Sequence, residues 1–285
     1  KDWLNEKGSI FVRCDYNGNW IVRCLMDEIF GKENFRNEIV IKRGEVPKGE
    51  VNKLLTGTDS LFYFSVSEKN LFYTPKKQRE KQEWLPMHLP QERTTYELQV
   101  REFFGKKLLP PKGRHWALSQ EKIDQAIKEN RIRIKEEKEY IDLEGKLVKG
   151  MPEILQSEYE KLDSNWTDIP GYSSTTDFKT ENSEILLKRV IESTSNEGDL
   201  VMDYFLGSGT TTAVAHKLGR KWIGVEMGEH FYTVVLPRMK KVLAYDKSGI
   251  SKEVKEYKGG GFFKYSELEQ YEDSLENIAN DLKSD

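Results

Sequence analysis

The stretch DYFLGSGTTTAVAHKLGRKWIGVE, Asp203 to Glu226, carries two glycines separated by one residue, a run of hydroxyl residues and an acid at its end. Gly207 and Gly209 let the backbone approach a ligand closely. A helix starting behind them offers unpaired N–H groups. An acid ending the next strand can accept from a ribose diol, and Glu226 lies 19 residues after Gly207. Dinucleotide binding needs a third glycine, but that position is Thr212; a phosphate-cradling loop needs a lysine after Gly209, and none follows. A ligand with a ribose and no pyrophosphate remains, and S-adenosylmethionine fits. The alternative is a glycine-rich helix start that binds nothing.

The elements around this loop read as an α/β unit. A strand in DLVMDYF, a helix in TTTAVAHKLGR, a strand in KWIGVEM and a helix in FYTVVLPRMKKVL follow an amphipathic helix in ENSEILLKRVIESTS. Upstream, GSIFVRCD reads as a buried strand opened by Gly8. NWIVRCLMDEIFG reads as a helix with Ile21, Cys24, Leu25, Met26 and Ile29 at helical spacing and Gly31 as its stop. NEIVIKRG and DSLFYFSVSEKN are two further strands, joined by GEVPKGEVNKLLTGTD, a mobile loop by composition. LSQEKIDQAIKEN predicts a capped helix from Ser119, and NRIRIKEEKEYIDLEGKLVKG a hairpin.

The 285 residues allow one large domain or two ordinary ones. A net charge of −3 excludes a global basic footprint, yet residues 76–138 hold 16 Lys/Arg against 10 Asp/Glu. Trp84, Tyr96, Phe103, Phe104 and Trp116 are scattered among them. Such a mixture suits phosphate attraction with contacts to bases. Lys76, Lys77, Arg79, Lys81, Lys106, Lys107, Lys112 and Arg114 are the candidates. Any one of these lysines taken singly reads better as a solvated charge, and Trp84 and Trp116 read as core. Cys14 and Cys24 read as reduced core thiols of a cytosolic protein. His88, His115, His216 and His230 lack metal-ligand spacing. No apolar run reaches about 18 residues, so no membrane span is expected. From Asp246 onward 10 acids stand against 6 lysines, for the most part a solvated surface by composition.

DYFLGSGTT resembles the cofactor loop of the amino-group DNA methyltransferases. HKLGRKWIGVEMGEHFYTVVLPRMKKVL, WTDIPGY, LPPKGRHW and GGGFFKYSELEQYED resemble the modification (Mod) subunits of type III restriction–modification systems. The resemblance spans nearly the whole chain. It implies an α/β, Rossmann-like methyltransferase sheet with an inserted α+β target-recognition region, S-adenosylmethionine as cofactor and double-stranded DNA as substrate. It further implies methylation of adenine N6, a restriction (Res) subunit as partner and a Mod homodimer in the cytoplasm. Asp203, Phe205, Gly207, Ser208, Gly209 and Thr210 would surround the methionine part of the cofactor, and Glu226 would hold its ribose. FKTENSEILL would cover it from the other side, with Phe178 and Thr180 matching; the family usually has Lys-Pro at Asn182-Ser183. N4-cytosine methylation and a non-catalytic DNA-recognition or assembly module are the alternatives.

The family clamps its target amine with Asp-Pro-Pro-Tyr or a near variant, and stacks the aromatic on a flipped base. The only Pro-Pro here is in LLPPKG, with no acid before it and no aromatic after it. The resemblance places that clamp upstream of Lys1, leaving the sheet incomplete, so no catalytic residue is assigned. Asp15 and Tyr16 end the first strand, as pocket residues or, more in keeping with their setting, as a turn. The resemblance divides the chain into a first methyltransferase part (1–75), the insertion (76–170), the cofactor-binding part (171–245) and an extension (246–285).

Overall fold

The computed structural model describes residues 1–44, 52, 54–92, 95, 99–176 and 178–268. In chain order the elements are β1 (Ser9–Cys14), α1 (Asn19–Phe30), β2 (Phe35–Lys42), β3 (Thr58–Ser65), β4 (Lys76–Gln78), β5 (Trp84–Pro86), β6 (His88–Pro90), β7 (Arg101–Phe103), β8 (Lys106–Leu108) and β9 (Arg114–Trp116). They continue with α2 (Gln120–Lys128), β10 (Ile132–Ile141), β11 (Leu147–Leu155), β12 (Tyr159–Lys161), β13 (Asn165–Pro170), α3 (Glu184–Thr194), β14 (Leu200–Asp203), α4 (Thr210–Lys217), β15 (Lys221–Gly224) and α5 (Leu236–Leu243). Two compact units form, one from residues 1–75 with 163–285 and one from Lys76–Leu162.

In the first unit the strand alternation of β3 decides the layering. Leu61 and Tyr63 face one way, packing with Ile39, Ile41, Trp166, Leu186 and Val190. Phe62 and Phe64 face the other, packing with Met26 and Phe30 of α1. Both faces of the sheet are therefore covered by helices, α3 on one side and α1 on the other. Its strand order is β1-β3-β2-β13, with β1 and β2 antiparallel to β3 and β13 parallel to β2. A second, parallel pair, β14 with β15, carries the glycine loop. Residues 165–170, expected within the insertion, instead extend the sheet of this unit as β13.

The apolar side of α1 differs from the expected one. Met26 and Phe30 are buried, with Val22 packed against the same cluster, while Ile21, Leu25 and Ile29 are exposed. The helix carries two apolar stripes, and only the one facing β3 is covered. Cys24 lies on the uncovered side and is exposed, and Cys14 is half-buried, so neither is a core thiol. All six residues of β1 are half-buried, because this strand pairs on one side only among the described residues. The loop between β2 and β3 lies largely outside the described residues. The acidic tail is not solvent-facing throughout: Ile250 and Tyr257 are buried against α4 and α5.

The second unit is built from small antiparallel pieces: β10-β11-β5, β12-β4, β6-β9 and β7-β8. Its core gathers Met87, Phe103, Trp116, Ile123, Ala126, Ile132, Tyr140 and Met151. The β10–β11 hairpin and α2 stand where the sequence places them. Ser119 is the residue before α2, but its side chain makes no capping bond.

Candidate functional site

β14 ends in Asp203, and this carboxylate shapes the loop that follows. Its Oδ1 accepts from Phe205 N at 3.0 Å and its Oδ2 from Thr211 Oγ1 at 2.5 Å. Gly207 and Gly209 then take φ of +57° and +76°, a region costly for residues with a Cβ. At Gly209 a Cβ would also meet Val235 Cγ1 at 3.2 Å. α4 begins directly after Gly209, so its first N–H groups open onto the loop.

Glu226 follows β15 and closes the loop from the side. Its Oε2 accepts from Gly207 N at 2.7 Å; its Oε1 accepts from Met227 N at 2.9 Å and Gly228 N at 2.8 Å. Burial raises this carboxyl, but donation by Gly228 and Gly207 and the nearby His230 outweigh it, so its pKa lies below the ordinary glutamate value. His230 Nε2 sits 3.2 Å from Glu226 Oε2.

The segment between β13 and α3 supplies a third wall. Phe178 approaches Gly207 so closely that a Cβ there would lie 3.4 Å from its ring. The same ring stands 5.0 Å from that of His230. Gly207, Glu226, His230 and Phe178 thus converge, whereas Thr180 is exposed and shows no hydrogen bond into this group. Ser208 and Thr210 turn inward: their hydroxyls lie 2.8 Å apart in the interior. Phe205 and Met227 are 92% and 99% exposed beside the loop.

The departure from Lys-Pro at Asn182-Ser183 has a structural account. Asn182 Oδ1 accepts from Arg13 Nη1 at 2.6 Å, and Arg13 Nη2 also donates to Asp59 Oδ2 at 2.7 Å. The asparagine ties this segment to β1 and β3. Asp15 closes a turn into α1, accepting from Asn17 N at 3.0 Å. Sequence reasoning missed Met227, whose signal was its place directly after the strand-end acid, and also His230, Glu181 and Arg238.

In the second unit Lys76, Lys77, Lys81, Lys106, Lys107, Lys112 and Arg114 are exposed. Lys77 and Arg79 are engaged by Glu160 at 3.1 and 2.6 Å. Trp116 is core, while Trp84 is half-buried beneath the Arg133 guanidinium, 4.4 Å from its ring. No cluster of metal-ligating side chains occurs among the described residues. No helix among them is long and apolar enough to cross a membrane.

Residues 1–236 match the family model described as DNA methylase, the N6/N4 methyltransferases. The chain belongs to this DNA methylase family. It is 29% identical over 350 residues to a protein of Haemophilus influenzae called the probable type III restriction-modification enzyme HindVI Mod subunit, covering 96% of this chain and 46% of that protein. It is 27% identical over 249 residues to the type II methyltransferase M.EcaI of Enterobacter cloacae, covering 79% and 52%. The DNA adenine methyltransferase YhdJ of Escherichia coli is 36% identical over 121 residues, 41% of each chain. The methylase chain spans about half the length of the curated relatives it matches.

Proposed function

We propose that this chain holds the cofactor-binding and target-recognition parts of an adenine-N6 DNA methyltransferase of a type III restriction–modification system. The observation that carries the reading is the convergence of Gly207, Glu226 and Phe178 beside the exposed Phe205 and Met227. S-adenosylmethionine fits these residues and supplies the methyl group. Glu226, held ionised, accepts from a ribose hydroxyl. Met227 and Phe205 cover its apolar surface, and the Gly207 backbone allows close approach. Phe178 closes the site beside Gly207 and His230.

Residues 76–162 then carry the DNA. Lys106, Lys107, Lys112 and Arg114 are exposed and show no ion pair among the described residues, which suits phosphate contacts. Bound S-adenosylmethionine would supply the methyl group for the exocyclic amine of a flipped base, and the positioning of the two by these residues would supply much of the rate. The Mod-subunit relative supports a restriction subunit as partner; a Mod homodimer is part of the proposal.

The full-length protein carrying this chain is incubated with labelled S-adenosylmethionine and duplex DNA, and the nucleosides are separated. N6-methyladenine supports the proposal. N4-methylcytosine selects the sister chemistry of the same family. DNA binding without methylation selects a recognition or assembly module.

A further inference from the structure

Behind the loop lies a network of buried charges that the chemistry above does not use. Arg238 of α5 is 9% exposed. Its Nη1 donates to Glu181 Oε1 at 2.8 Å, to Thr210 Oγ1 at 2.9 Å and to Ser208 O at 3.3 Å. Its Nη2 donates to Glu184 Oε1 at 3.0 Å. Glu181 is fully buried and lies 57 residues away in the chain. Its carboxylate also accepts from Thr175 Oγ1 at 2.5 Å, from Thr176 N at 2.8 Å and from Thr176 Oγ1 at 3.0 Å. One guanidinium therefore grips the glycine loop through Ser208 and Thr210, and the segment bearing Phe178 through Glu181.

We propose that Arg238 and Glu181 form a clasp of positioning residues that sets the spacing between the two walls of the cofactor site. The inference rests on the cofactor reading above. Neither residue needs to touch the cofactor. Glu181 N donates to Phe178 O at 3.1 Å, so the clasp fixes the backbone from which the Phe178 ring projects over Gly207. Nη1 alone bridges the two walls while Nη2 anchors the guanidinium to Glu184, a rigid two-nitrogen fork that the single ammonium of lysine cannot reproduce. A site ordered before binding spares the ligand the cost of ordering it.

The same network provides its own control. At its far end Lys217, fully buried, pairs with Glu184 at 2.9 Å and with Asp246 at 3.2 Å. Asp246 shows no hydrogen bond to either wall. Its removal tests the network's contribution to the fold, apart from the walls.

The experiment compares Arg238→Lys, Glu181→Gln and Asp246→Asn with the parent in the full-length protein. Titration calorimetry with S-adenosylmethionine, steady-state kinetics and thermal unfolding are measured on each. The clasp predicts that Arg238→Lys and Glu181→Gln weaken cofactor binding by about 3- to 30-fold. The KM for cofactor rises in step, while kcat at saturating cofactor and the KM for DNA change little. Asp246→Asn lowers the melting temperature and leaves cofactor affinity at the parent value. If Arg238→Lys does not fold, Glu181→Gln decides. Parent-like affinity in both wall variants overturns the clasp, as does an equal loss in Asp246→Asn. A parent protein that binds no S-adenosylmethionine overturns the cofactor reading itself, and the clasp with it.

Discussion

Glu226 accepts the backbone N–H of Gly207 at 2.7 Å, so the acid just past β15 fixes the loop that leaves β14. Three backbone N–H groups already occupy its oxygens. A carboxylate has about four acceptor positions, which leaves room for a ligand hydroxyl. Glu226→Ala removes both the loop support and the ligand acceptor. Losing a hydrogen bond to a charged group costs about 1.5–3 kcal/mol, so cofactor affinity falls by at least about tenfold. Calorimetry with unchanged affinity in this variant would refute the role of Glu226.

The same carboxyl makes the site acid-sensitive. Its folded pKa lies below the ordinary glutamate value, so folding favours the charged form. That stabilisation is complete above the unfolded pKa and is lost as pH falls through the folded one. Glu181 shifts in the same direction: burial raises it, but Thr175, Thr176 and Arg238 outweigh that. Thermal midpoints recorded between about pH 3 and pH 7 should fall on the acid side in the parent. Glu226→Gln should flatten part of that fall, and adding Glu181→Gln should flatten more. Curves that superimpose would show that neither carboxyl is coupled to folding.

Gly209 joins the loop to α4 at φ +76°. Gly209→Ala carries the left-handed penalty of about 1–2 kcal/mol and brings a methyl to 3.2 Å from Val235. Urea unfolding should show a lower midpoint with an unchanged slope. A parent-like midpoint would mean that the loop relaxes into another conformation without cost.

How much of this was legible depended on whether the constraint was local. Gly207, Gly209 and Glu226 were readable because a left-handed turn demands glycine and a strand end places the acid. The clasp was not, since Glu181 and Arg238 lie on elements with no shared period, and nothing in sequence spacing pairs charges 57 residues apart. The burial of Lys217 is invisible in spacing for the same reason: Glu184 and Asp246 take it out of water. On α1, the stripes Ile21/Leu25/Ile29 and Val22/Met26/Phe30 are offset by one residue, and periodicity alone does not say which one meets the sheet.

The lysines of the second unit divide into two groups by their partners. Lys77 and Arg79 share Glu160, whereas Lys106, Lys107 and Lys112 are exposed and show no ion pair among the described residues. Neutralising the latter three together should weaken DNA binding on every sequence and flatten the log K against log salt slope by up to about 0.9 per lost phosphate contact. Neutralising Lys77 with Arg79 should have the smaller effect. A slope unchanged in the triple variant would mean that those lysines face away from DNA.

Among the described residues β1 pairs with β3 alone and β14 with β15 alone. Each leaves a row of N–H and C=O groups unpaired along its other side, and such edges invite association with other chains. Leu200 on β14 is 60% exposed. No acid-Pro-Pro-aromatic clamp occurs anywhere in the 285 residues, so nothing in them is assigned to hold the target amine. Expressed alone, this span is therefore expected to transfer no methyl group and to associate as its concentration rises. Methyl transfer from labelled cofactor and light scattering across a dilution series check both. Sequence-specific methylation by the isolated span, with a cooperative transition at about 45–65 °C, would place the transferring chemistry within these residues and overturn the expectation.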